Sequence, residues 1–266
     1  MSRSISVLGD IHGEFQPIRD LYQNNKEYFD SFDENILILL GDVGFNYFFN
    51  HRDIKFKEKV GKYPFTYFCI RGNHEQRPSI IMEDNPADWE MQSRFGNEVY
   101  VEKEYPYILY ALDTVAYYNI EGYNTLVIPG AYSVDKFFRL NSGRSWFEKE
   151  QLDEQEKEEG LKLIKEIGNK ADLVLTHTCP AIYIPSDLFL PTVDQNTVDN
   201  GMERYLGEIE FNLKYKMWLF GHYHAFRCYP KYEGKRVIML FNKSALNLTD
   251  GLDEIVHLYL KGNDNE

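Results

Sequence analysis

Short apolar runs that each end in a polar motif dominate the hydrophobic pattern of this chain. Such runs of a few residues, bounded by glycine and polar residues, predict buried strands. Their continuous rather than alternating apolar character is typical of strands covered on both faces, as in parallel sheets. The polar motif after each run places chemistry at the carboxyl end of a strand, where open α/β sheets bind ligands. The runs are residues 5–8, 36–40, 65–70, 173–175 and 217–220.

Helical segments are predicted between these strands. Residues 15–29, 146–167 and 197–213 carry apolar side chains at roughly helical spacing. Gly168-Asn169 provides a stop signal for the second segment. The third contains internal glycines that weaken a helix. Strands and helices therefore alternate along most of the chain.

Further strands are predicted in the middle and near the end of the chain. Residues 99–129 alternate tyrosine and β-branched residues with polar ones, which predicts successive antiparallel strands. Residues 237–241 and 255–260 predict the same. Because no repeat or linker interrupts the pattern, we expect residues 1–266 to form one domain, built as a layered sandwich.

Composition indicates a globular protein and narrows the class of ligand. The 266 residues are 43% hydrophobic and 27% charged, which is ordinary for soluble proteins. The net charge of −13 repels polyphosphate backbones, so tight non-specific nucleic-acid binding is disfavoured. Bound metal ions can reverse the field locally, which keeps small phosphorylated ligands open.

The compartment follows from what the apolar runs and cysteines indicate. The longest aliphatic run, residues 36–40, is far shorter than a membrane span, and residues 5–8 are too short for a secretory signal. The cysteines, Cys69, Cys179 and Cys228, are odd in number and widely spaced, which favours reduced thiols. We therefore expect a soluble cytoplasmic protein with no membrane partner.

Five of the seven histidines lie within polar motifs that contain glycine, aspartate, asparagine or threonine. A Gly-Asp pair alone usually marks a turn, and a lone histidine is more often structural than a ligand. In combination, histidine, aspartate and asparagine are the ligands that a pair of divalent metals requires. The motifs are Gly9-Asp10-Ile11-His12-Gly13, Gly41-Asp42, Gly72-Asn73-His74-Glu75, Thr176-His177 and Gly221-His222-Tyr223-His224.

This ordered set resembles the signature of the calcineurin-like metallophosphoesterase superfamily. That signature runs Asp-x-His, Gly-Asp, Gly-Asn-His-Glu/Asp, a single His and Gly-His-x-His, and all five elements stand between residues 9 and 224. The resemblance implies an α/β (α+β) fold, a four-layer αββα sandwich of two mixed sheets flanked by helices. It is specific for the superfamily and says little about the substrate.

The resemblance also implies roles for eight residues. Asp42 would bridge two metals, and His74 would face the substrate, so these two are the expected catalytic residues. The first metal would be held by Asp10, His12 and His224, and the second by Asn73, His177 and His222. These ligands suit two divalent ions, with Mn favoured and Fe, Zn, Co or Ni as alternatives. Such a pair lowers the pKa of a bridging water and supplies hydroxide for phosphoester hydrolysis.

Two departures affect the choice of substrate. Ser/Thr protein phosphatases of the superfamily continue the second motif as Gly-Asp-x-Val-Asp-Arg-Gly, whereas residues 41–47 lack that Asp and Arg. Asn46 either takes over a polar contact or fills the loop. Residues 129–139 resemble the Gly-Gly-Ala-x-Ser-Val-Asp-Lys segment of a bacterial and phage-type branch. There, Lys136 or Arg139 either replaces the missing phosphate clamp or is an exposed charge in a turn.

The sequence therefore predicts a metal-dependent phosphoesterase that acts on phosphomonoesters or phosphodiesters. The expected ligand is a phosphorylated small molecule or a nucleotide. A Ser/Thr-type protein phosphatase and a non-catalytic binding platform of the same fold are the alternatives. Specificity would come from residues 44–56, 76–97 and 180–200, so the substrate stays open, as does the oligomeric state.

Overall fold

A computed structural model describes residues 1–189, 191, 193–253 and 256–258 of the chain. Single-turn 3₁₀ helices occupy Ala181–Tyr183, Ser186–Leu188 and Gln195–Thr197. The α-helices are α1 Gln16–Asn24, α2 Lys26–Phe29, α3 His51–Val60, α4 Pro78–Asp84, α5 Lys136–Ser142, α6 Glu154–Glu166 and α7 Gly201–Asn212. The strands are β1 Arg3–Leu8, β2 Glu34–Leu39, β3 Phe65–Cys69, β4 Trp89–Arg94, β5 Asn97–Glu102, β6 Ile108–Tyr110, β7 Ala116–Ile120, β8 Tyr123–Ile128, β9 Leu173–Thr176, β10 Met217–Phe220, β11 Arg227–Cys228, β12 Arg236–Met239, β13 Ala245–Asn247 and β14 Val256–Leu258.

The strands form two mixed sheets. An eight-stranded sheet has the order β14-β13-β1-β2-β3-β6-β5-β4, and a six-stranded sheet has the order β11-β12-β10-β9-β8-β7. In the first sheet β1, β2, β3 and β6 run parallel. In the second, β8, β9, β10 and β12 do so. The remaining pairings are antiparallel, which makes both sheets mixed as predicted.

Three apolar cores separate four layers. One core lies between the sheets and joins residues of both, such as Ile38 and Leu219. A second lies on the outer face of the larger sheet, where Leu37 packs with Leu21 of α1. The third lies outside the smaller sheet, under α6 and α7. Neighbours such as Leu37 and Ile38 point to opposite faces and both are buried, so the part of β2 from Ile36 onward is apolar without alternation. The αββα sandwich is therefore confirmed.

The helices differ from their predicted bounds. The predicted helix 15–29 is divided at Asn25 into α1 and α2. The predicted start of the helix at residue 146 was wrong, because α6 begins at Glu154, where Asp153 and Glu156 form an N-terminal capping box. Residues 197–213 contain α7, which begins only at Gly201. No helix among the described residues combines the length and the apolarity needed to cross a membrane.

The prediction of successive antiparallel strands over 99–129 was partly wrong. The pairs β5–β6 and β7–β8 are antiparallel, but β6 also pairs parallel with β3, and β8 with β9. The chain changes sheets between β6 and β7, and the sequence pattern does not signal that change. The predicted strand 237–241 corresponds to β12, which runs antiparallel to β11 as predicted but parallel to β10. Of the predicted strand 255–260, β14 is antiparallel to β13, and residues 255, 259 and 260 lie outside the described residues.

Candidate metal centre

The five polar motifs meet at one edge of the sandwich. Each follows the carboxyl end of a strand whose parallel neighbours end at the same edge, β1, β2 and β3 in one sheet and β9 and β10 in the other. The two sheets present these ends side by side, so a hydrogen bond joins His177 after β9 to Asn73 after β3. The sheet topology therefore gathers residues that are far apart in sequence.

One group of side chains joins Asp10, His12 and His224. The Nε2 atoms of the two histidines face each other at 2.8 Å, and Nε2 of His224 lies 3.8 Å from Oδ2 of Asp10. The backbone N–H of His222 donates to the same carboxylate oxygen over 2.8 Å and fixes its orientation. One ligand atom from each of the three residues lies within 4.8 Å of the others, a spacing that could hold one metal ion.

A second group lies deeper. His177 is fully buried, and its Nδ1 donates to the carbonyl of Leu40 over 2.8 Å, which directs Nε2 into the site. That Nε2 atom lies 2.9 Å from Oδ1 of Asn73 and 3.6 Å from Oδ1 of Asp42. The ring of His222 lies against His177, with 5.0 Å between ring centroids. These four side chains could hold another ion.

The Asp42 carboxylate lies between the two groups. Its Oδ1 atom faces His177 and accepts the backbone N–H of His74 over 2.9 Å. Its Oδ2 atom lies 4.0 Å from Nε2 of His12 and 3.8 Å from Nε2 of His74. Two cations at the usual separation of about 3.5–4 Å need an anion between them. Asp42 has the position and the charge for that place.

The backbone is strained at four of these positions. His12, Asp42, His222 and His224 have φ values of 46°, 48°, 69° and 52°, in the left-handed region that side chains other than glycine seldom adopt. Residues held in such conformations cost about 1–3 kcal/mol each and cluster at functional sites. The left-handed backbone conformation directs these side chains toward one point at the edge of the two sheets.

Two glycines make room for the carboxylates. A Cβ atom on Gly72 would lie 2.1 Å from Oδ1 of Asp42, and one on Gly221 would lie 1.9 Å from Oδ1 of Asp10. Only hydrogen atoms fit in these places, so both glycines are required for the close approach of the loops.

The electrostatics of the cluster favour added positive charge. Burial raises the pKa of Asp10, and the neighbouring Asp42 raises it further. Burial lowers the pKa of His177, but the carboxylates of Asp42 and Asp10 outweigh burial and raise this pKa to about 9. Oδ1 of Asp10 is buried without a hydrogen-bond partner among the described residues. A buried, unpartnered carboxylate oxygen facing imidazoles fits a metal ligand.

The other imidazoles are held neutral. Burial lowers the pKa of His12 to about 4 and that of His222 well below its usual value. A neutral imidazole offers a nitrogen lone pair, which is the form that binds metal. Together with His177, the carboxylates and one amide, these imidazoles form a ligand set that suits borderline divalent ions.

His74 lies at the mouth of the centre, next to Arg139 of α5. Nη2 of Arg139 is 3.4 Å from Nε2 of His74. The guanidinium is fixed from two other sides, because Nε donates to both carboxylate oxygens of Asp135 at 2.8 Å and Nη1 donates to the hydroxyl of Tyr47 at 2.6 Å. A preorganised guanidinium beside an imidazole is suited to bind phosphoryl oxygens.

The three residues predicted to bind substrate are placed differently. Arg139 reaches the centre through His74. Lys136 instead lies over the ring of Trp146, with Nζ 4.1 Å from the ring centroid. Asn46 is buried, and its Oδ1 accepts from Nζ of Lys57 at 3.0 Å, which matches the loop-filling interpretation.

The structure adds residues to which the sequence pattern assigned no role or an incomplete one. Glu75 is buried and accepts the backbone N–H groups of Val43, Gly44 and Gly72. It therefore joins the second motif to the third. Ser133 accepts from Nδ2 of Asn73, and its only sequence signal was its place in the 129–139 segment.

Fold and site together define a metal-dependent phosphoester hydrolase. The chain belongs to the calcineurin-like phosphoesterase family, whose sequence profile matches residues 3–226. No curated protein matches the chain in sequence.

Solved structures resemble the fold. TT1561 of Thermus thermophilus is 13% identical, with 98% of this chain and 100% of that one aligned at a TM-score of 0.55. GAP50, described as the anchor in the inner membrane complex of Plasmodium, is 8% identical, with 99% and 90% aligned at a TM-score of 0.51. At these identities the likeness concerns the fold alone.

Proposed function

We propose that this chain hydrolyses a phosphorylated small molecule or nucleotide with two divalent ions, manganese foremost. Asp42 carries the proposal, because its carboxylate lies between two groups of neutral and charged ligands. Asp10, His12 and His224 would hold one ion with Asp42, and Asn73, His177 and His222 the other. When bound, the ions acidify water and neutralise charge on the phosphoryl oxygens.

His74 and Arg139 would act on the substrate directly. Burial lowers the pKa of His74, so the free imidazole is neutral near pH 7. A bound phosphate anion raises that pKa again, and Nε2 then holds the proton that the leaving oxygen needs. The guanidinium of Arg139 would pair with a phosphoryl oxygen and orient the ester toward this imidazole.

The proposed substrate class follows from charge and from the second motif. A net charge of −13 disfavours long polyanions, and residues 41–47 lack the Asp-Arg pair of the protein phosphatases. Arg139 provides one preorganised cation beside the centre, which is enough for a single phosphoryl group. A complete ligand cluster also disfavours the non-catalytic platform. The unpaired Cys69, Cys179 and Cys228 support a cytoplasmic location.

Hydrolysis of p-nitrophenyl phosphate and of bis-p-nitrophenyl phosphate by metal-stripped protein, with and without Mn²⁺, tests the proposal. We expect turnover only with metal and its loss in Asp42→Asn and His74→Asn. The exposed His51 gives the matched control, since His51→Asn should behave as wild type. The ratio of the two rates separates monoesterase from diesterase activity. Protein that binds no metal and shows no turnover would refute the proposal.

A further inference from the structure

The segment 129–139 contains a serine that contacts the proposed metal centre. Ser133 and Asn73 are both 2% exposed, and Nδ2 of Asn73 donates to Oγ of Ser133 over 2.8 Å. We propose that Ser133 and Glu150 are positioning residues, which fix the amide of Asn73 with its oxygen toward the metal. This inference rests on the proposed function, because Asn73 is a ligand only if the centre binds metal.

The polarity of the Ser133 hydroxyl is set by Glu150. A hydroxyl has one hydrogen to donate, and Oγ lies 2.5 Å from Oε2 of Glu150. Because that hydrogen goes to the carboxylate, the same oxygen can only accept from Asn73. The amide must therefore present its NH₂ group to Ser133, and its carbonyl oxygen faces the opposite way.

The carboxylate of Glu150 is itself held by donors. The backbone N–H of Ser133 donates to Oε1 at 3.0 Å, and Nε1 of Trp146 donates to Oε2 at 2.9 Å. Glu150 is 2% exposed, so bulk solvent does not compete with these donors. Each carboxylate oxygen thus already accepts from an N–H group, so Glu150 also acts as an acceptor toward the Ser133 hydroxyl, and the direction of the chain of hydrogen bonds is fixed.

The direction matters because the two ends of an asparagine amide are nearly equal in shape and opposite in polarity. Oδ1 of Asn73 lies 2.9 Å from Nε2 of His177, on the side where the second ion would bind. The oxygen offers a lone pair to a cation, whereas an NH₂ group there would direct hydrogens at it. When the amide is already fixed with its oxygen toward the ion, metal binding does not have to reorient it, so the ion binds more tightly.

Metal titration of Ser133→Ala tests this inference. Loss of Oγ leaves Nδ2 of Asn73 without its acceptor, so the amide loses the hydrogen bond that holds its oxygen toward the second ion when His177 has given up its proton. We expect one Mn²⁺ per chain to bind as in wild type and the other about 10–100-fold more weakly, by calorimetric titration of metal-stripped protein. Excess Mn²⁺ should restore turnover. Ser142→Ala is the matched control, because that exposed hydroxyl donates to backbone carbonyls of its own helix.

Glu150→Gln tests the same chain of hydrogen bonds from its far end. In one orientation the NH₂ group of the new amide faces the backbone N–H of Ser133. In the other it faces the Ser133 hydroxyl and Nε1 of Trp146. Either arrangement sets donor against donor, so we expect weaker Mn²⁺ binding at the same single site. If both variants are folded and bind two ions with wild-type affinity, the inference is wrong. Equal weakening of both sites would also overturn it, since that result indicates a general structural role. Wild-type protein that binds no metal would instead refute the proposed function, and the inference with it.

Discussion

Gly72→Ala tests whether the close approach of the second and third motifs sets the place of Asp42. The new Cβ atom would lie 2.1 Å from Oδ1 of Asp42 and 2.4 Å from its backbone nitrogen. Contacts of this kind need about 3.3 Å or more, so the two segments must separate by about 1 Å. Rotation of the Asp42 side chain cannot relieve the contact with the backbone, so the loop itself must move.

The magnitude follows from that displacement. Overpacking of a buried site costs about 1–3 kcal/mol, which leaves a domain of this size folded. Misplacement of a reacting group by about 1 Å costs about 100-fold in rate. We therefore expect turnover of bis-p-nitrophenyl phosphate to fall about 100-fold while most of the protein remains folded. The metal content should fall as well, because Asp42 faces both groups of ligands.

The assay combines thermal melting, elemental analysis of bound metal and turnover at saturating Mn²⁺. Gly207→Ala in α7 is the matched control. Its new Cβ atom would lie 3.6 Å from the backbone nitrogen of Ala181, which is an ordinary van der Waals contact. Helix propensity predicts that this change stabilises the protein by up to about 1 kcal/mol and leaves turnover unchanged. If Gly72→Ala binds two ions and turns over as wild type does, the reasoning about Asp42 is refuted.

Four further predictions concern Arg139, His177 and the cap of α6. Arg139→Lys keeps the positive charge but loses the forked guanidinium donors beside His74, so kcat/KM should fall about 10–100-fold while the melting temperature stays unchanged. A wild-type kcat/KM would show that Arg139 does not bind the substrate. Metal uptake at pH 7.5 should release protons, because burial lowers the pKa of His177 but Asp42 and Asp10 raise it to about 9. Calorimetry in buffers of different ionisation enthalpy measures the number of protons released per metal ion bound. For the same reason His177 stabilises the metal-free fold fully below pH 6.5, and this contribution is lost as pH rises through about 9, so the metal-free melting temperature should fall over that range; a flat profile contradicts the charge assignment. Asp153→Ala removes the cap of α6 and should cost about 1 kcal/mol in urea unfolding without changing turnover, whereas a parallel loss of activity would contradict a purely local role.

The sequence predicted the parts of this molecule that depend on local pattern. Residues 36–40 are apolar without alternation, and that alone indicates a strand covered on both faces, as β2 is. The motifs follow such strands directly, so their meeting at one edge could be expected before the structure was known. Bounds were less secure, because the start of α6 is decided by a capping box rather than by the apolar spacing that suggested residue 146.

Residues that act through long-range hydrogen bonds could not be found in the same way. Ser133 lies 60 positions from Asn73 and 17 from Glu150, and no local pattern connects three such residues. Lys136 and Arg139 stood as equal candidates because charge alone does not show direction. Their positions in the short helix α5 send Arg139 toward His74 and Lys136 over Trp146.

The burial of the centre explains why its ligands need so much support. A carboxylate removed from water, such as Asp10, costs free energy until a cation or donors compensate it, and four strained backbone positions add to that cost. The surrounding structure compensates through fixed donors, such as the His222 N–H on Asp10 and the His74 N–H on Asp42. Bound divalent ions would supply the rest, so added metal should raise the melting temperature of the protein. The melting temperature and the turnover rate of this protein should consequently rise over the same range of metal concentration.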